Sequence, residues 1–195
     1  LPHRLGDTDV IPDQLVSGAQ GLTIQELERR RVIPAGGQIG LTVPESFGQR
    51  VNPGINRIAL GNGITFDTMV FNTTLSWQTA SPGVVGCGLV FDGVSDTENN
   101  LAYIDQTGGY GLSERLDESF SPGIFGVNPD WTEGKQNLLV IRLKDKVHYY
   151  VNRHYVGTMD LAPSTGEIGI AVVNYETIDT TCQFDDTWIW RLASP

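Results

Sequence analysis

From residue 38 onward, apolar and polar positions alternate in short runs separated by turn residues. In the run 147–152, Val147, Tyr149 and Val151 fall on one face while His148, Tyr150 and Asn152 fall on the other. That period of two is what a half-buried strand requires. Runs of this kind predict strands over 38–43, 55–60, 64–77, 84–92, 101–106, 110–114, 137–144, 147–152, 155–160, 167–174 and 181–191. Phe184, Trp188 and Trp190 make the last of them long and aromatic. Turn signals stand between the runs, as at Gly61-Asn62-Gly63, Ser81-Pro82-Gly83, Gly108-Gly109 and Ser164-Thr165-Gly166. Many short strands with no helix between them predict an all-β antiparallel sandwich or barrel and exclude α/β layering.

The first 37 residues read differently. Residues 1–21 show no sustained period, and a short helix is expected over about 23–33. Thr23 and Glu26 have the spacing of a capping box, Leu22 and Leu27 that of a hydrophobic staple, and Glu26 and Arg30 that of an i,i+4 ion pair. Arg29, Arg30 and Arg31 crowd the end where the helix dipole favours cations, and Pro34 with Gly36-Gly37 stops the helix. The expected organisation is therefore an N-terminal arm, 1–37, and a sandwich, 38–195.

Composition sharpens this picture in two places. The net charge of −10 repels phosphate backbones and anionic lipid, which argues against nucleic acid and membrane surfaces as partners. No apolar run approaches the roughly 20 residues of a membrane span, so no membrane insertion is expected. The chain begins at Leu1 and carries no signal-peptide pattern, as a processed or excised chain would. Its two cysteines, Cys87 and Cys182, lie in separate strand runs and read either as buried thiols or as one disulfide.

The motifs from 66 to 192 come in a recognisable order: Phe91, then Tyr103 with Gly108 to Tyr110, then Asn137 to Val140. Tyr150-Val151-Asn152, Gly166 to Gly169 and Phe184-Asp185 complete it. The order resembles the bacterial laminin-G-like members of the concanavalin A-like lectin/glucanase superfamily. The resemblance implies a two-sheet antiparallel jelly-roll sandwich with one short N-terminal helix. It leaves function open, because such folds host lectins, adhesins, hydrolases and scaffolds alike. Arg153 stands where the family often has Gly, so a wider loop through His154 is expected. The resemblance also puts Cys87 and Cys182 in one compact sandwich, each beside a Phe-Asp step, and so implies a Cys87–Cys182 disulfide. Such a bond would point to an oxidising, extracellular or cell-envelope location.

Catalytic patterns are sparse. A glycosidase needs two carboxylates flanking the scissile bond. Of the nearest groups, Glu114 with Asp117 and Glu118 reads as a solvated loop, while Asp185-Asp186 lies between Phe184 and Trp188, where at least one is expected to point outward or bond loop backbone. There is no Gly-x-Ser-x-Gly, and neither cysteine has a neighbouring histidine. His148 and His154 share a hairpin and read as exposed side chains. No catalytic residue is assigned. No cofactor is called for, beyond a calcium ion that Asp92, Asp96 and Asn99 would hold in an oxygen-rich turn.

A glycan site pairs an aromatic face with polar groups. The candidates are Trp131 and Tyr110, with Tyr150, for the face and Asp105, Arg142 and His148 for the polar partners. Trp131 stands out because it lies in a loop, between Pro129 and Gly134. Three readings follow: a non-catalytic extracellular module binding carbohydrate, a structural subunit that assembles with another protein through residues 1–40, and a sugar hydrolase resembling 3-keto-disaccharide hydrolases.

Overall fold

A computed structural model describes residues 11–64, 68–78, 85–95, 97–117, 119–121, 123–162, 166–174, 176–177 and 179–192. Two antiparallel sheets, each of seven strands among the described residues, face one another. The first runs, in spatial order, β1 (Gln38–Val43), β14 (Thr180–Arg191), β4 (Thr68–Trp77), β10 (Gln136–Leu143), β11 (Lys146–Val151), β12 (His154–Asp160). β2 (Ser46–Arg50) pairs with the first part of β14. The second runs β3 (Gly54–Ile64), β13 (Gly166–Asn174), β5 (Val85–Gly93), β6 (Asn99–Asp105), β7 (Gly109–Leu116), β8 (Ser119–Phe120), with β9 (Ile124–Val127) also on β7. This is the expected jelly-roll sandwich of the concanavalin A-like kind.

The main core lies between the sheets, and the period of two decides who enters it. Phe71, Leu138, Val140, Val147, Tyr149 and Phe184 point in from the first sheet, and Leu89, Phe91, Ala102, Leu112, Ile170 and Val172 from the second. The Cys87–Cys182 disulfide joins the sheets through this core, with Cα atoms 5.9 Å apart. It bears out the pairing that the resemblance implied. Turn chemistry misled at Gly61, which β3 carries within its pairing to β13 rather than turning there.

β14 changes phase halfway along. Asp185 pairs with Thr74 and Trp188 with Asn72, so two residues of β14 oppose one of β4. Asp186 takes a left-handed φ of 45° in this bulge. The extra residue reverses the alternation: Phe184 and Ile189 both face the main core, while Trp188 and Trp190 face outward.

Those outward tryptophans are buried by the N-terminal arm. Leu15, Leu27, Val32 and Ile33 close over Val70, Leu139, Ile141, Tyr150, Trp188 and Trp190 as a second apolar cluster. Gly37 lets the chain pass directly over Trp190, since a Cβ there would fall 2.1 Å from the ring. Within the arm, α1 spans Gln20–Arg29, three residues earlier than expected, and the capping box does not form. Thr23 lies inside the helix and donates its hydroxyl to the Ser17 and Ala19 carbonyls. Glu26 accepts the Val16 N–H at 2.8 Å and pairs with Arg30 at 3.0 Å. Leu22 staples nothing and is exposed. The arm itself, folding back at Val16, supplies the partners that an isolated helix would seek locally.

Candidate functional site

At one end of the first sheet, an open groove of about 340 Å³ is lined by Gly18, Ala19, Thr74, Asn137, Asn152, Arg153 and Asp186. Each wall has a local cause. Asp186 is the extra residue of the β14 bulge. Asn152 and Arg153 form a two-residue turn between β11 and β12, closed by the Val151–His154 pair, with φ of 49° and 69°. The wider loop expected at Arg153 is therefore absent. The residue adopts the conformation that favours glycine, and its side chain is tied down in compensation. Its guanidinium donates to the Val16 carbonyl at 2.9 Å, and its own carbonyl accepts the Leu15 N–H at 2.9 Å. The turn thus clasps the arm that supplies Gly18 and Ala19.

Beneath the groove runs a ladder of amides. Asn72, wholly buried, donates to the Asp186 carbonyl and accepts from the Asn137 side chain, both at 2.9 Å. The Asn137 N–H donates to the Asn152 side chain at 2.8 Å, and the Asn152 amide donates to Gln136 at 2.6 Å. Gln136 in turn donates to the Glu133 carbonyl, which fixes the loop carrying Trp131. Asp185 faces Lys135 at 2.7 Å, and that bond holds its carboxyl below the ordinary value against the opposing loss of water around it. Loss of water around the Asp186 carboxyl raises it, against a pull from the Trp188 indole and with a further push from Asp185. Among the described residues, one carboxylate, one guanidinium, two amides and a hydroxyl line the groove, with Gly18 and Ala19 completing its wall. Such a set matches a ligand dense in hydroxyls rather than an apolar one.

The residues expected to form one glycan site are scattered. Trp131 is half-buried against the main core, between Tyr110 at 5.4 Å and His154 at 5.9 Å in stacked geometry. His154 follows Arg153, so this aromatic row ends at the groove's turn. Asp105 is spent on its own hairpin, accepting the Thr107 N–H and hydroxyl and the Gly109 N–H. Arg142 is wholly buried, bonded to Asp92 and to the carbonyls of Lys144 and Ala162, and cannot reach a ligand from the surface. Tyr150 is buried under the arm, its hydroxyl donating to the Pro12 carbonyl at 2.7 Å. His148, expected to be exposed, is mostly buried beside the Tyr155 hydroxyl, and that burial lowers its basicity.

For calcium, Asp92 accepts from Arg142 and Asn100, while the Asn99 amide donates to the Ser95 carbonyl. Asp96 lies outside the described residues. At Asp92 a guanidinium already fills the charge role that a calcium ion would take. Among the described residues, no three His, Cys, Asp or Glu side chains converge as metal ligands.

Sequence reasoning missed Thr74, Arg153 and Asp186 as groove residues and passed over Asn137 and Asn152 as fold motifs. A usable signal was Asn152-Arg153 between two strands, since a two-residue turn there needs left-handed backbone.

No protein-family model matches the chain, and no curated protein matches it. Among solved structures, it resembles the carbohydrate-binding module CBM66 from Bacillus subtilis at 18% identity and a TM-score of 0.59, covering 76% of this chain and 93% of that one. It also resembles the Bacillus licheniformis β-glucanase at 12% identity and 0.54, covering 77% and 79%. A native glycosidic hydrolase matches at 10% identity and 0.53, covering 80% and 82%. At these identities the likeness establishes the fold.

Proposed function

We propose that this chain is a non-catalytic glycan-binding module of the laminin-G-like kind, working in an extracellular or cell-envelope setting, and that its ligand lies in the Asn137–Asn152–Arg153–Asp186 groove. The observation that carries this reading is the groove's lining, which offers amide, carboxylate, guanidinium and hydroxyl groups side by side and is open to solvent. Hydrolysis would call for a second carboxylate across the bond, and among the described residues Asp186 is the one carboxylate that lines the groove. The similarity to a carbohydrate-binding module supports the ligand class, and the disulfide supports the compartment.

Calorimetric titration of the protein with a panel of neutral oligosaccharides, hexose- and pentose-based, tests the reading. Binding to at least one chain type, lost in Asp186→Ala and Asn137→Ala while the melting curve stays two-state, is the expected result. Binding that survives both substitutions would move the site elsewhere, and release of reducing ends would replace the module with an enzyme.

A further inference from the structure

We infer that Asn72 is the positioning residue of the groove, because its one buried amide fixes Asp186 and Asn137 relative to each other from below. The inference rests on the groove reading given above. Asn72 lies on β4 with no exposed surface, in register with Trp188 of β14 and Leu139 of β10. Its Nδ2 donates to the Asp186 carbonyl, and its Oδ1 accepts from the Asn137 Nδ2.

The Asp186 carbonyl belongs to a bulge residue, which the ladder leaves without a regular partner. A donor must therefore reach it from a side chain. Asn137 stands at the start of β10 and also donates to the Thr73 carbonyl at 3.1 Å, so its amide oxygen is turned away from the sheet. That oxygen takes no hydrogen bond from the described residues. Thr73 braces the bulge from the core side through Thr187 at 2.7 Å. The two neighbouring β4 residues thus clamp one bulge from both faces.

Only an amide carries a donor and an acceptor at this spacing. Aspartate keeps the acceptor but would set a carboxylate against the Asp186 carbonyl. Serine is too short to hold both partners.

The test needs no glycan, so its failure is distinct from failure of the glycan reading. The charged groups around the Asp186 carboxyl are Asp185 on its own strand, with Lys135 paired to it, and Arg153 across the groove. Nuclear magnetic resonance of the ligand-free protein would follow the Asp186 carboxyl through its titration and the exchange of the Asn137 side-chain amide protons. In Asn72→Ser, Asp186 should titrate like an ordinary exposed aspartate, and the Asn137 amide should exchange about tenfold faster. Asn137→Ala, at a half-buried position, should move the Asp186 titration in the same direction by a smaller amount, and it decides the matter should Asn72→Ser not fold. A lower melting temperature with both signals unchanged would make Asn72 purely structural and overturn the inference.

Discussion

The buried Arg142 guanidinium crosses from the first sheet to the Asp92 carboxylate of the second, closing one end of the core with charge rather than with apolar packing. A buried pair is a weak source of net stability, yet breaking it strands a charge. Asp92→Ala should therefore cost about 3–5 kcal/mol in chemical denaturation. The double variant with Arg142→Met should recover part of that loss. A single variant as stable as the parent would mean that water reaches Arg142.

The disulfide closes a chain separation of 95 residues. The chain-entropy model gives about 4–5 kcal/mol for a loop of this length. Denaturation with and without reductant should show a difference of that order, and intact mass should rise by two hydrogen atoms on reduction.

Arg153 holds two opposed effects in one residue. Arg153→Gly relieves about 1 kcal/mol of left-handed strain and gives up a hydrogen bond to Val16 of similar worth, so global stability should barely move. Arm protection should nevertheless fall, with faster hydrogen exchange at Leu15 and through α1. Arg153→Ala loses the bond, keeps the strain and should be the less stable of the two.

Asp186 has a folded-state carboxyl raised above its unfolded value. The stability it contributes is complete below the unfolded value, about pH 3.9, and is lost as pH rises through the folded one. Asp186→Asn should therefore melt above the parent at neutral pH, and the two curves should converge as pH falls below about 4. Asparagine also tolerates the left-handed φ. Melting curves recorded across this pH range check the sign.

Trp131→Ala should destabilise the sandwich by about 2 kcal/mol, less than a fully buried tryptophan, because the side chain is only half-buried. Acrylamide should quench Trp131 more than Trp188 or Trp190, which single-tryptophan variants would separate.

The sandwich was legible because most strands keep the period of two, and Val147, Tyr149 and Val151 enter the core as that period requires. β9 escaped notice because it is four residues long, and β2 because Gly48, Gln49 and Arg50 dilute its apolar signal. The site was less legible for two physical reasons. Tyr150 and His148 face outward by periodicity, yet the arm covers Tyr150 from 138 residues away in the chain, and the Tyr155 ring covers His148 from the neighbouring strand. The groove itself depends on a single bulge residue and a strained turn, which the hydrophobic pattern around Asp186 and Arg153 does not announce.

The outward turn of Trp188 and Trp190 has a consequence for how this chain can be cut. Among the described residues, every named strand of both sheets lies after residue 37, so a fragment starting there would keep the pairing between those strands and lose only the short Gln14–His154 bridge that the arm makes to β12. It would also present two tryptophans, Val70 and Ile141 to water as one contiguous sticky surface. Such a fragment would be complete in topology and poor in solubility, and the thirty-odd residues that look dispensable on a strand diagram are what keep the domain from clumping.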